Sequence, residues 1–325
     1  MTKKILVWLL ATVFLTTAPS AESQQPTKIP RVGYLGGNSP NARSETFRQG
    51  LRELGYVEGK NIVIEWRHHE GKLDRLPALA AELVRRKVDI IITVGAPAAR
   101  AAKEATVTIP IVMMRVGDPV GSGFVASLAR PGGNITGLSG LAPELSGKRL
   151  ELLKEIVPRL SRVAVFGTSM SPDTAQSLRE VDLAAEVLKV KLQYLDIRDP
   201  KDIETAFRAA SKGRAGAVLM MVAGAVASGR ETEIAQLAVK SRLPVIYPSP
   251  RIVEAGGLMT YGVNQNDLDR RAATYVDKIL KGRTPADLPV EQPMKFEFII
   301  NLKAAKAIGL TIPPNVLVRA DKVIG

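Results

Sequence analysis

The side chains of this chain that could hold a small molecule gather in a few turns rich in glycine, proline and serine. Gly36-Gly37-Asn38-Ser39-Pro40-Asn41 joins free backbone N–H groups to amide and hydroxyl side chains that can donate, accept and cap the helix beginning near Ala42. Such a helix start suits a carboxylate or another anion, and a plain turn with an N-cap would use the same residues. Gly95-Ala96-Pro97-Ala98-Ala99 opens another helix with proline in its first turn and no bulky side chain, which leaves its amides within reach of a ligand. Asp118, followed by Pro119, offers a counter-charge for a ligand ammonium, or a cap for a helix over 121–128. Ser169 and Ser171 could hold a carboxylate or cap the helix from Pro172, and Ala223 lies in the corresponding turn Val222-Ala223-Gly224-Ala225. Tyr247 and Tyr261 could stack on a planar ligand or serve as wall and hinge packing. The candidate ligand-binding set is therefore Asn38, Ser39, Gly95, Ala96, Asp118, Ser169, Ser171, Ala223, Tyr247 and Tyr261, and no arginine is placed in these loops.

Other chemistries find little support. There is no cysteine, which removes disulfides, thiolate metal sites and cysteine nucleophiles. The only histidines, His68 and His69, are adjacent; on an extended segment they point oppositely, so an exposed loop is expected rather than a metal site. Gly36-Gly37 and Gly132-Gly133 match neither the dinucleotide nor the phosphate-loop spacing, so no cofactor is expected. The formal charge of +13 invites a nucleic-acid reading. However, the basic residues are scattered beside acids on helical faces, as in Lys148, Arg149 and Glu151, so a generally basic surface is the expectation.

The elements that must position these turns are legible as an alternation. Short Val- and Ile-rich runs at 31–35, 61–66, 89–94 and 109–114 read as strands, with amphipathic helices over 44–54, 73–87 and 96–105. The same order returns about 130 residues later, with strands at 162–167, 191–197, 215–221 and 243–247 and helices over 172–189, 200–212 and 230–241. Two copies of a β-α-β-α-β-α-β unit predict an α/β protein of two Rossmann-like lobes, each a parallel sheet flanked by helices, with a ligand cleft facing the carboxyl ends of the strands. The turn-rich segment 130–137 is the expected first crossing between lobes and 256–263 the second; a helix over 267–280 can return to the first lobe.

The N-terminus carries Lys3 and Lys4, an apolar run from Ile5 to Leu15 and small residues through Ser23. This is the pattern of a signal peptide cut after Ser23, and its apolar run is too short to span a bilayer. Its loss would remove Lys3, Lys4 and Glu22 and leave a charge of +12.

Several stretches resemble one family. They are Val88–Ala99, Ile109-Pro110-Ile111-Val112, Gly117-Asp118-Pro119-Val120, Ala129–Gly137, and the tail from Ile300 to Pro314 with Arg319–Ile324. They are similar to ABC transporter substrate-binding proteins of the tryptophan and phenylalanine type. The resemblance implies a type I periplasmic-binding-protein fold and a non-enzymatic role. In that role the protein captures a small solute, such as an aromatic or other amino acid, and delivers it to an ABC permease and its ATPase at the inner membrane. Gram-positive members are usually lipoproteins; without cysteine, this chain is expected to be a free periplasmic monomer that binds no nucleic acid. The expected division is a signal peptide at 1–23, an N-terminal lobe of 30–135 plus about 264–285, and a C-terminal lobe of 138–260 plus about 286–325. An exported two-domain enzyme using Asp118 or Glu254 as acid or base in the same cleft is the alternative.

Overall fold

The computed structural model describes residues 28–37, 42–169, 174–222, 226–227 and 229–325, so the expected signal peptide and Asn38, Ser39, Ser171 and Ala223 lie outside it. The first half runs β1 (Arg31–Gly36), α1 (Ala42–Glu53), β2 (Val63–His68), α2 (Leu76–Arg85), β3 (Ile90–Val94), α3 (Ala96–Ala105), β4 (Ile111–Val116) and β5 (Ile135–Ser139). Its strands form one parallel sheet of order β2-β1-β3-β4-β5. Successive side chains leave a strand on opposite faces, so each strand feeds two cores. Ile90, Ile92, Val112 and Met114 pack with Phe47 and Leu51 of α1 on one face. Ile91, Ile111 and Met113 pack with α2 and α3 on the other. Continuous apolar strands with helices on both sides are what a parallel sheet requires.

The second half runs α4 (Ala142–Ile156), β6 (Arg162–Gly167), α5 (Thr174–Leu188), β7 (Lys191–Asp196), α6 (Asp202–Lys212), β8 (Ala217–Met220), α7 (Glu231–Lys240), β9 (Val245–Tyr247), α8 (Pro250–Glu254) and β10 (Met259–Val263). It ends with α9 (Gln265–Leu280), β11 (Phe296–Asn301), α10 (Leu302–Ala307), α11 (Pro314–Leu317) and β12 (Lys322–Ile324). The second sheet has the order β12-β11-β10-β9-β8-β6-β7 and is parallel except where β11 runs against β10. Again two cores form, one around Phe166, Phe207 and Tyr247, the other around Val163, Val165, Leu153 and Ile246.

The chain passes between the lobes three times. Because β5 belongs to the first sheet, the first crossing is at Gly140-Leu141, downstream of the turn over 130–137 where it is expected from sequence. The run 256–263 supplies strand β10 of the second sheet, and the second crossing follows it at Asn264. There the Asn264 side chain caps α9 by accepting from Asp267 N at 2.8 Å. The amphipathic face of α9 then packs on the first lobe, where Leu268, Ala272 and Val276 join the core beside α1. Residues 288–291 also stay with the first sheet: Leu288 and Val290 are buried in its cores and Glu291 bridges Leu138. The third crossing therefore falls at 292–295, not near 286.

Candidate functional site

A cavity of about 360 Å3 lies between the lobes, at the carboxyl ends of both sheets. That is where ligands bind in open α/β sheets, and its volume is within the range of small-molecule sites. The first lobe contributes His69 after β2, residues 94–98 at the β3–α3 turn, Arg115 of β4 and Gly140. The second contributes Ser146 and Arg149 of α4, Thr168, Thr174, Ser177, Met221, Val222, Glu231, Pro248, Ser249 and Arg251. Val263 and Gln265 line it beside the second crossing.

The β3–α3 turn is built by conformation rather than by side chains. Gly95 sits at φ 82°, ψ 162°, a region that is essentially glycine-only, and its N–H donates to Met114 O at 2.8 Å. This sharp reversal starts α3 at the cavity wall with Pro97 in its first turn, so Ala96, Pro97 and Ala98 line the cavity with the positive end of the helix dipole behind them.

Arg115 reaches the cavity by a different device. The register of β4 against β5 slips between Met114 and Val116, and Arg115 takes φ 60°. A bulge of this kind re-aims a side chain. Here it turns the guanidinium onto Asp269 of α9, a fully buried carboxylate, in an ion pair. Arg149 has no such partner. It is 5% exposed, and its Nε donates to the backbone oxygen of Tyr261 at 2.7 Å. Among the described residues no carboxylate lies within ion-pair distance of it. Burial pulls its proton affinity down to about 10, so it remains a cation at neutral pH. Glu231 and Arg251 add one further charge of each sign.

Gly95 and Ala96 are brought into the cavity, whereas the other described candidates are not. Asp118 turns back on its own loop, where Oδ1 accepts from Gly121 N at 2.9 Å, and 121–128 is a set of turns rather than a helix. Ser169 donates through Oγ to Asp196 Oδ2 at 2.9 Å and through N to Oδ1 at 2.8 Å, which fastens it to the end of β7; its neighbour Thr168 lines the cavity instead. Tyr247 is fully buried in the second lobe, its hydroxyl unpartnered among the described residues and pushed up by desolvation, so it cannot stack on a ligand. The Tyr261 ring stacks on Phe296 at 6.2 Å and meets Phe298 edge-on at 6.1 Å, which is packing at a crossing.

Sequence reasoning missed His69 and the arginines. His69 is 7% exposed and lines the cavity, while His68 stacks on Trp66 at 6.1 Å, so the pair is not an exposed loop. Arg149 sits next to Lys148 and Glu151 and reads as part of a solvated helix face. Its spacing of three and four from Ser146 and Leu145 places it on the inward side, and that spacing is the signal that could have found it.

A family profile described as "ABC transporter substrate binding protein" matches residues 32–324. The chain belongs to that family. This substrate-binding protein is 26% identical over 264 residues to a tyrosine-binding protein of Clostridioides difficile, covering 81% of this chain and 75% of the relative. A Streptococcus pneumoniae ABC domain solved in complex with L-Trp superposes with a TM-score of 0.84 at 26% identity, covering 91% of this chain and 99% of that one. A Vibrio cholerae conserved domain protein does so with a TM-score of 0.82 at 29% identity, covering 91% and 100%. The role of the family is to bind solutes for ABC transporters, which is a non-enzymatic role.

Proposed function

We propose that this substrate-binding protein is an exported, unanchored periplasmic receptor for an amino acid with a large apolar side chain, the aromatic ones first. The observation that carries this reading is the composition of the interlobe cavity. Just over half of its lining residues are Leu, Val, Ala, Met, Ile or Pro from both lobes, with serines, threonines and a few charged groups among them. Apolar walls with a small number of fixed polar groups suit a compact zwitterion with a hydrophobic body. No Phe, Tyr or Trp is among the described residues that line the cavity, so an aromatic ring would be received by aliphatic contacts rather than by stacking. The names of the tyrosine-binding relative and the L-Trp complex support the same solute class.

In this reading the solute joins both lobes only when they are closed, so binding favours the closed form that the permease receives. Native mass spectrometry of freshly purified protein, followed by thermal shift with aromatic amino acids, other amino acids, nucleosides and sugars, tests the solute class. L-Trp, L-Tyr or L-Phe should raise the melting temperature saturably. A shift from sugars or nucleosides alone would sink the amino-acid reading. Export is checked separately, by N-terminal sequencing of protein released from the periplasm, which should begin at Gln24.

A further inference from the structure

We infer that Arg149 is the carboxylate anchor of the cavity, so that the solute received there is an acid fastened beside the crossings between the lobes. The inference rests on the solute-receptor reading above and narrows it to one chemical group and one residue.

The contrast between the two buried arginines carries the argument. The fold neutralises the charge of Arg115 internally, with Asp269 of α9 as its ion-pair partner, although its Nε is buried without a hydrogen-bond partner among the described residues. Arg149 is at least as deeply buried and faces the same cavity, yet its one hydrogen bond within the described residues is Nε to Tyr261 O. A guanidinium has five N–H donors in a fixed fork, so four remain for a guest. The fork is also held in place. Tyr261 O grips one side of it, and a side chain at Gly262 would come to 3.4 Å from Nη2, so the guanidinium lies close along the backbone that leads to the second crossing. Leaving a buried charge without a partner is costly, and a paired charge with two parallel hydrogen bonds is among the strongest polar contacts. A carboxylate is the guest that supplies both acceptors and the missing charge. Because Arg149 follows the first crossing on α4 and holds the strand before the second, an acid bound to it touches the segments that flex when the lobes move.

Calorimetry on the purified chain tests this with pairs of probes. L-tryptophan and L-tyrosine are compared with tryptamine and tyramine, which keep ring and amine but lack the carboxylate, and thermal shift pairs every other amino acid with its amide. The wild type should bind the acid roughly 100-fold or more tightly than its partner. Arg149→Met should bind the acid no better than the wild type binds the amine, and should leave the amine's affinity unchanged; Arg149→Lys should recover part of the loss. Arg149→Met should melt no lower than the wild type without solute, because it removes a buried unpaired charge. If it fails to fold, Arg149→Lys and the acid–amide comparison on the wild type decide. Equal affinity for acid and amide, or an Arg149→Met protein within threefold of the wild type for the acid, overturns the inference and leaves the receptor reading intact. Binding of sugars or nucleosides alone also overturns it. Preference for a non-aromatic acid over its amide keeps Arg149 as anchor and removes the aromatic assignment.

Discussion

His69 enters the cavity with Nδ1 buried and unpartnered among the described residues, and both ring nitrogens of His68 are in the same condition. Burial, then the neighbouring charges of His68 and Arg75, holds His69 below its ordinary value of 6.5; burial is also the main cause at His68. As the pH falls below about 6.5 the unfolded chain takes up protons that the native state refuses, so stability should decline between that value and the depressed native ones and level off below them. Melting temperatures followed from pH 7.5 to 5.5 should therefore fall, and His69→Gln should flatten the decline; an unchanged slope in the variant would refute the assignment. A second prediction concerns the ion pair behind the cavity. Asp269→Ala strands Arg115 in the interior and should cost about 3–5 kcal/mol, read by chemical denaturation, and Arg115→Met in the same chain should restore part of it. What was legible at this scale followed the backbone: the turn at Gly95 and Ala96, which lines the cavity, could be read because glycine and proline mark a turn. Arg149 and Arg115 were not, since a charged residue on a helix or in a strand reads as surface until tertiary packing shows which way it points.

Among the elements, the alternation of apolar runs and amphipathic segments made the eight repeated strands readable to within about two residues at most ends, because a strand buried on both faces and a helix buried on one leave different periodicities. The ends of the pattern were harder. β5 has only five residues, and its Gly137 looks like part of a turn, whereas it is a glycine within a strand at φ 136° whose added Cβ would stand 2.1 Å from Met113 O. Gly137→Ala should therefore force β5 away from β4 and cost roughly 3 kcal/mol or more in denaturation, with loss of solute binding because Gly140 at the cavity follows it. The cap on α9 is a milder case. Asn264 accepts from Asp267 N and donates to Glu297 Oε1 at 2.5 Å, so Asn264→Ala should cost about 1–2 kcal/mol by the same measurement.

At the scale of the whole molecule, three backbone crossings join lobes that otherwise have their own sheets and cores, an arrangement that permits hinge closure and resists twisting. Solution scattering should show a smaller radius of gyration with saturating solute than without; an unchanged value would mean that binding and closure are separate events. The two-lobe architecture was legible as a repeat of about 130 residues, while the stitching of the tail was not, because which lobe an amphipathic helix joins depends on the face it meets rather than on its own sequence. That stitching has a consequence for the order in which the molecule can be made. The first lobe is short of α9 until residue 280 is available, and the second sheet lacks β11 and β12 until residue 324. Neither core can therefore be completed until most of the chain is available. If the chain is exported as proposed above and crosses unfolded, that delay favours the extended form that a membrane channel accepts.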